Sequence, residues 1–249
     1  LNTGFVGTPL LCNVLTDHGM TDAAYRLLLN EEYPGWLYEV KLGATTVWER
    51  WNSLDENGHV SSTGMNSLNH YSYGAVLEWI FRHVAGIDVT EQGPGGKMMR
   101  ISPKVDYKLG SASAVYDSAS GCYRCGWQIA NGDQITVTVT VPFGAKAQVI
   151  LPYAPDSVYH DTDNPLFETV ENGICCVKAG QYTVTYKAAS PLKKSYSVDS
   201  TLEDLLAEPA IRAFLSNMME VDMIPDLAYG LTLRQAAEAF AGGVSAEQA

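Results

Sequence analysis

The spacing of apolar residues predicts helices at the start of the chain. Apolar side chains recur at intervals of three and four over residues 4–15, 21–29 and 67–84, and a glycine follows the first and the last of these segments closely. Thr21 or Asp22 is placed to cap the second helix through its side-chain oxygen. We therefore expect a helical region up to about residue 88.

A long connection, residues 33–65, separates the second and third predicted helices. Loops of this length are uncommon inside a compact domain, where they usually serve a function. This one carries Trp36, Trp48 and Trp51, a composition that argues against disorder. We expect an ordered functional loop.

The hydrophobic period changes to two after the helical region. Isoleucine and valine alternate with threonine over residues 135–141, which is typical of a half-buried antiparallel strand. Residues 173–177 and 181–186 flank a Lys-Ala-Gly turn and predict a hairpin. Short strands separated by turn signals predict an antiparallel β-sandwich over residues 89–192.

The last segment, residues 193–249, returns to a helical pattern. Residues 200–203 and 232–235 both fit the capping box, and Pro209 suits the first turn of a helix. From residue 195 onward nine acidic side chains accompany two arginines, which gives a net charge of −7. We expect an acidic, solvated helical tail, and hence three domains divided at residues 88 and 192.

One cysteine pair raises the question of a metal site. Cys122 and Cys125 have half of a zinc-ribbon spacing, but the only other pair is adjacent instead of two residues apart. Tyr123, Cys125 and Trp127 alternate along the chain, so we expect Cys125 to be a small apolar residue in a strand. No metal site and no cofactor are predicted.

The motif Trp48-Glu49-Arg50-Trp51 contains the clearest candidates for catalytic and sugar-binding residues. Indole faces cover the apolar C–H face of a sugar ring, and a carboxylate can hold or deprotonate a water molecule. Arg50 would favour the ionised form of Glu49 that a base requires. By composition alone, two core tryptophans with a structural Glu–Arg pair explain the same residues.

Several other motifs accompany this one in a fixed order. They are Gly-Phe-Val-Gly-Thr-Pro-Leu-Leu (4–11), Leu-Thr-Asp-His-Gly (15–19), Tyr-Arg-Leu-Leu-Leu (25–29), Tyr-Pro-Gly-Trp (33–36), Gly-Ala-Thr-Thr (43–46) and Ser-Leu-Asn-His-Tyr (67–71). Together the series resembles family 78 glycoside hydrolases, the bacterial α-L-rhamnosidases. The resemblance is dense up to about residue 90, looser to about 152 and faint beyond.

The resemblance implies that residues 1–88 are the last helices of an (α/α)6 catalytic barrel and that hydrolysis inverts the anomeric centre. Glu49 occupies the place of the general base for the attacking water, and His70 occupies the place of a histidine that contacts the sugar. A neutral imidazole both donates and accepts hydrogen bonds, which suits a sugar hydroxyl; a hydrogen-bonded histidine at a helix end is the alternative. The expected pocket walls are Trp36, Trp48 and Trp51.

Inversion also requires a carboxylic acid across the sugar, roughly 6.5–9.5 Å from the base. In the family this acid belongs to an Asp-Glu-Arg motif well upstream, and this chain contains no Asp-Glu-Arg sequence. The resemblance therefore implies a C-terminal portion that carries the base, lacks the acid and is inactive alone. The expected partners are a rhamnose-containing glycoside and the N-terminal part of the same protein, which would cover exposed helix faces; self-association through those faces is the alternative.

Two other functions remain open from the sequence. A non-catalytic, carbohydrate-binding β-sandwich needs an exposed aromatic platform, and Tyr123 and Trp127 are its only clustered candidates. Another (α/α)6 glycosidase, acting on fucose or glucose, is the other option, because the sequence contains no residue pattern that separates closely related sugars.

Composition limits the remaining partners. The 249 residues are 46% hydrophobic, enough for a substantial core, and the formal net charge is −12. Such an acidic chain is unsuited to a nucleic-acid backbone, and no apolar run approaches the ~18 residues of a membrane span. We expect a soluble bacterial protein, with the cytoplasm favoured and the compartment left open.

Overall fold

The computed structural model describes residues 3–61, 64–91, 93–217, 220–225 and 228–244. The chain divides into two compact units, Leu1–Leu192 and Lys193–Ala249, and each has its own hydrophobic core. Within the first unit, the helices and strands contribute to one continuous core. A boundary at residue 88 therefore stays a prediction.

The first unit begins with three helices: α1 (Gly4–Asp17), α2 (Thr21–Leu28) and α3 (Trp36–Lys41). The first two confirm the predicted helices, whereas α3 lies inside the predicted loop. The predicted cap of α2 is wrong, because Thr21 is already the first helical residue. Met20 precedes it as the N-cap and forms no side-chain capping bond.

The third predicted helix begins at residue 72 instead of residue 67. Its elements are a 3₁₀ turn (Ser72–Ala75), α4 (Val76–Trp79) and a π turn (Ile80–Val84). Residues 67–70 are not helical, because their backbone groups bond to residues 46–49. A carbonyl or N–H that is paired with a neighbouring segment is not available for a helical hydrogen bond.

The described strands of the first unit form two sheets. They are β1 (Ile87–Val89), β2 (Met98–Ile101), β3 (Ser111–Ser118), β4 (Gly121–Ala130), β5 (Gln134–Val141), β6 (Lys146–Ile150), β7 (Val170–Glu171), β8 (Ile174–Val177) and β9 (Gly180–Lys187). One sheet has the order β1-β2-β6-β8-β7 and the other β3-β4-β5-β9. The predicted two-sheet fold is confirmed, although β2 and β6 pair in parallel.

The predicted hairpin of residues 173–186 is wrong. β8 pairs with β6 in the five-stranded sheet, whereas β9 pairs with β5 in the four-stranded sheet. Lys178 and Ala179 therefore connect the two sheets instead of turning within one. The period-two pattern shows which face of a strand is buried, but it does not identify the neighbouring strand.

The inner face of β4 joins the sheets to the helical region. Tyr123, Cys125 and Trp127 are buried there, which confirms Cys125 as a core residue of a strand. Trp127 Nε1 donates a 2.7 Å hydrogen bond to the carbonyl of Val84, at the end of the π turn. The Tyr123 hydroxyl donates to the carbonyl of Gly96 at 2.7 Å. The buried side chains of β4 thus contact the end of the π turn and the segment at Gly96 through hydrogen bonds as well as apolar packing.

The second unit contains α5 (Leu202–Leu206), α6 (Pro209–Ser216) and α7 (Leu233–Val244). The first predicted capping box is wrong by one residue, because Thr201 caps α5 and accepts the Asp204 N–H at 3.2 Å. The second predicted capping box, at residues 232–235, is confirmed. Thr232 Oγ1 accepts the Gln235 N–H at 3.1 Å, and Gln235 Oε1 accepts the Thr232 N–H at 3.0 Å. The helix α6 begins at its proline, as predicted.

An apolar stripe on α1 is exposed. Val6, Leu10 and Val14 lie four residues apart, and therefore on one face of the helix. Leu77 on α4 and Phe81 in the π turn are also exposed apolar side chains. An exposed apolar stripe of this kind is typical of a surface that contacts another protein segment. None of the described helices is long and apolar enough to cross a bilayer.

Substituting Trp127 by phenylalanine should test the link between the sheets and the helical region. The variant loses the donor to the Val84 carbonyl and leaves that buried acceptor unpaired, so we expect the free energy of unfolding to fall by about 1–3 kcal/mol. Urea unfolding followed by circular dichroism measures the change. The matched control is Gln128→Ala, an exposed neighbour on β4, which should change stability by less than about 0.5 kcal/mol. Equal effects of the two substitutions would contradict the assigned role.

Candidate active site

The candidate site begins where α3 ends. Gly43 has a φ of +82°, in the left-handed region that favours glycine. The Gly43 N–H bonds to the carbonyl of Val40 at 2.9 Å, and the Ala44 N–H bonds to the carbonyl of Glu39 at 3.0 Å. These two bonds form a Schellman cap, which explains the glycine of the Gly-Ala-Thr-Thr motif. The cap turns the chain back past α3.

This return brings the backbone of Trp48 to the side chain of Glu39. Glu39 is only 4% exposed, and its Oε2 accepts the Trp48 N–H at 3.3 Å. Within the part of the chain that the structure describes, the buried Glu39 Oε1 has no hydrogen-bond partner, and neither has Trp51 Nε1. Because such atoms are uncommon in protein interiors, they mark a polar region behind the Glu49 motif.

Backbone hydrogen bonds pair the two segments that carry the predicted site residues. The Glu49 N–H donates to the carbonyl of Ser67 at 2.9 Å, and the His70 N–H donates to the carbonyl of Val47 at 2.8 Å. The Thr46 hydroxyl also donates to the Leu68 carbonyl. The structure therefore brings together Glu49 and His70, which are far apart in the sequence.

A buried serine fixes the turn that follows Glu49. The Ser53 hydroxyl accepts the Arg50 N–H at 3.2 Å and donates to Asn66 Oδ1 at 2.7 Å. The Asn66 amide in turn donates to the carbonyl of Ser53 at 3.2 Å. Since Ser53 is fully buried, this network links the backbone at residues 50 and 53 to Asn66. It stabilises the part of the loop that follows Glu49.

The ring of His70 lies between two other rings. It stacks on Phe5 with centroids 4.9 Å apart and on Tyr71 with centroids 5.2 Å apart. Its Nδ1 accepts the Ser72 N–H at 3.3 Å, so the neutral ring carries its hydrogen on Nε2. His70 is half-buried, and Nε2 can donate a hydrogen bond to a bound hydroxyl group. Sequence analysis did not single out Phe5 or the exposed ring of Tyr71.

The three tryptophans predicted as pocket walls are all buried. Trp48, Trp51 and Trp36 are 2%, 6% and 8% exposed. Trp51 stacks on Tyr73 at 3.9 Å and meets Trp36 edge-on at 5.2 Å. Trp36 and Trp51 belong to the hydrophobic core of the first unit, and all three indoles are almost fully shielded from solvent in the described chain. Their role as pocket walls stays a prediction.

Glu49 and Glu39 differ in their surroundings. Glu49 is half-buried and can reach a water molecule or ligand at the surface. Burial raises the pKa of Glu39 to about 7, although the hydrogen bond from the Trp48 N–H opposes this shift. Burial, and secondarily the Glu39 carboxylate, also raise the pKa of Tyr73. The only sequence signal for Glu39 was a carboxylate within an aromatic stretch before Gly43.

Neither a metal centre nor an aromatic platform is formed by the predicted residues. The described ranges contain no group of three or more metal-ligating side chains placed to hold an ion. Tyr123 and Trp127, the clustered aromatic candidates of the sandwich, are 0% and 3% exposed. Glu49 and His70 give the described site a carboxylate and an imidazole on adjoining backbone segments.

Comparison with known proteins agrees with these motifs. Residues 1–84 match the bacterial alpha-L-rhamnosidase 6 hairpin glycosidase domain, and residues 86–164 match the bacterial alpha-L-rhamnosidase C-terminal domain. The chain belongs to the bacterial α-L-rhamnosidase family.

Among α-L-rhamnosidases, the enzyme of Alteromonas sp. (strain LOR) is 41% identical over 184 residues, which is 73% of this chain and 19% of that protein. The crystal structure of the Streptomyces avermitilis α-L-rhamnosidase in complex with L-rhamnose aligns with a TM-score of 0.65 and 37% identity, and covers 74% of this chain and 18% of that one. The α-L-rhamnosidase of Aspergillus terreus aligns with a TM-score of 0.61 and 30% identity, over 76% of this chain and 20% of that one. The chain thus spans less than a fifth of the curated α-L-rhamnosidases that it matches.

The buried Glu39 carboxyl should make the stability of this chain depend on pH. Its pKa is about 7 in the folded chain and 4.5 ordinarily, so the folded state binds the proton more tightly between these values. The free energy of unfolding should therefore fall as pH rises through this range, by about 3 kcal/mol in total. Glu39→Gln should remove this component, as measured by urea unfolding at about pH 4 and about pH 8.

The control for this experiment is Glu32→Gln, which removes an exposed carboxyl from the same region. The difference in the free energy of unfolding between the wild type and Glu39→Gln should change with pH far more than the difference between the wild type and Glu32→Gln. Parallel pH curves for the wild type and Glu39→Gln would show that the Glu39 carboxyl is not perturbed by burial.

Proposed function

We propose that the protein containing this chain is an inverting α-L-rhamnosidase, in which Glu49 is the general base and His70 binds a sugar hydroxyl. The observation that carries the proposal is the hydrogen-bonded pairing of residues 46–49 with residues 67–70. The pairing puts the backbone of Glu49 and that of His70 on adjoining segments, and both residues are half-buried, which supports a shared role. The complex of the Streptomyces avermitilis relative with L-rhamnose supports the choice of sugar.

In this mechanism the Glu49 carboxylate takes a proton from a water molecule. The water oxygen then forms a bond to the anomeric carbon on the face opposite the leaving group, while the bond to the glycosidic oxygen breaks. A carboxylic acid elsewhere in the complete protein protonates the departing oxygen. His70 keeps Nδ1 occupied by the Ser72 N–H and donates its Nε2 hydrogen to a hydroxyl of the sugar.

The proposed roles of Glu49 and His70 depend on where the two side chains lie rather than on unusual chemical properties. A general base contributes about 10²–10⁴-fold when it lies within hydrogen-bond reach of the proton that it removes. The Schellman cap at Gly43 and the Ser53 network hold the base segment on both sides of Glu49. The buried tryptophans support the motif from behind, which fits their packing better than a role as open walls.

The exposed stripe of Val6, Leu10 and Val14 is consistent with a partner segment that covers this face of α1. In our proposal, other helices of the same (α/α)6 barrel cover it and supply the acid. The match to the 6 hairpin domain ends at residue 84. In this proposal, the strand-rich region up to residue 192 and the acidic tail are two further domains. Alone, the chain is expected to be inactive, because only one of two proton-transfer groups is present.

Glu49→Gln in the complete protein should lower kcat/KM for an aryl α-L-rhamnoside by about 10²–10⁴-fold, since the amide cannot accept the proton of water. The melting temperature should change little, because Glu49 is half-buried and the amide is isosteric. Glu56→Gln, an exposed carboxyl in the same loop, is the control and should keep full activity. Near-normal turnover by Glu49→Gln would refute the assignment of the base.

A further inference from the structure

Glu39 is a buried carboxyl that the proposed mechanism does not use. It lies on α3, ten residues before Glu49, and is shielded from solvent except for 4% of its surface. Placing a carboxyl in a protein interior is costly unless it is compensated by hydrogen bonds. In the described chain Glu39 has one such bond, to the Trp48 N–H, and its second oxygen is unpaired. A packing role alone would be filled better by an apolar side chain.

The peptide unit that Glu39 holds has a special place in the site. The N–H of the Val47–Trp48 peptide donates to Glu39 Oε2, and the carbonyl of the same peptide accepts the His70 N–H at 2.8 Å. The peptide is therefore held from opposite ends by Glu39 and by the segment of His70. The next peptide carries Glu49, whose N–H is bonded to Ser67. A shift of the held peptide would therefore displace Glu49, which directly follows it in the chain.

We propose that Glu39 is a positioning residue for catalysis: its buried side chain holds the Val47–Trp48 peptide and thereby sets the position of Glu49, the next residue in the chain. This inference rests on the proposed function, because it concerns the geometry of the same site. Glu39 touches neither water nor sugar in this role. Its effect on the rate is transmitted through the backbone to Glu49, and displacement of a catalytic group by about 1 Å can cost about 100-fold in rate.

The proposed role uses one oxygen of Glu39, while the other has no partner among the described residues. Oε2 is the acceptor that the peptide requires, and Oε1 remains free to accept a further hydrogen bond. Trp51 Nε1 is a buried donor in the same core and likewise has no partner among the described residues. Methionine would fill the same space without an acceptor, whereas glutamine would keep one. These two substitutions therefore separate the hydrogen bond from the volume of the side chain.

The test compares Glu39→Met and Glu39→Gln in the complete protein, with an aryl α-L-rhamnoside as the substrate and Glu32→Gln as the exposed control. Assays run well below each melting temperature, so that only folded protein is compared. Glu39→Met should lower kcat/KM by about 10–100-fold. Glu39→Gln should restore it to within about threefold of the wild type, since the amide oxygen accepts the Trp48 N–H. The inference is overturned if Glu39→Met is fully active, or if both variants lose activity equally.

A double-mutant cycle shows whether Glu39 acts through Glu49. If it does, adding Glu39→Met to Glu49→Gln should lower the residual rate by less than about threefold, because the base that Glu39 positions is already lost. Multiplicative losses would overturn the inference and leave Glu39 with an independent structural role. An active Glu49→Gln variant has a different meaning, since it would refute the proposed function itself.

Discussion

The Val47–Trp48 peptide is the constraint on which the rest of the site depends. Its carbonyl accepts the His70 N–H and its N–H donates to Glu39, so one rigid planar unit links three separate segments. The pairing of the loop with residues 67–70 extends this link on both sides. It also prevents the third helix from starting before Ser72. Residues 46–49, which lie outside regular secondary structure, are thus held by hydrogen bonds to a neighbouring segment.

Local rules predicted much of the fold. The helices α1 and α2, the alternating burial of β4 and β5, and the capping box at Thr232 follow from residues near one another in sequence. The caps of α2 and α5 were misplaced by one or two residues, whereas the larger failures involve distant partners. The strands β8 and β9 read as a hairpin, although each has its partner in a different sheet. Sequence periodicity reports burial of a face, whereas strand neighbours are set by tertiary packing.

The candidate site shows the same division. Glu49 and His70 could be selected from their motifs, and the structure places them on paired segments. Glu39 could not, because its importance comes from a chain reversal at Gly43 that brings a distant N–H to its carboxyl. Burial of the tryptophans was likewise hidden, since an indole in a wall and an indole in a core look alike in sequence.

The central claim is that the paired segments present Glu49 and His70 to one sugar. A crystal structure of the complete protein with L-rhamnose bound tests it most directly. The account predicts a Glu49 carboxylate oxygen about 2.6–3.2 Å from the anomeric hydroxyl, and His70 Nε2 within the same distance of another hydroxyl of that sugar. A bound rhamnose that contacts neither side chain, with Glu49 turned away from the anomeric carbon, would contradict it.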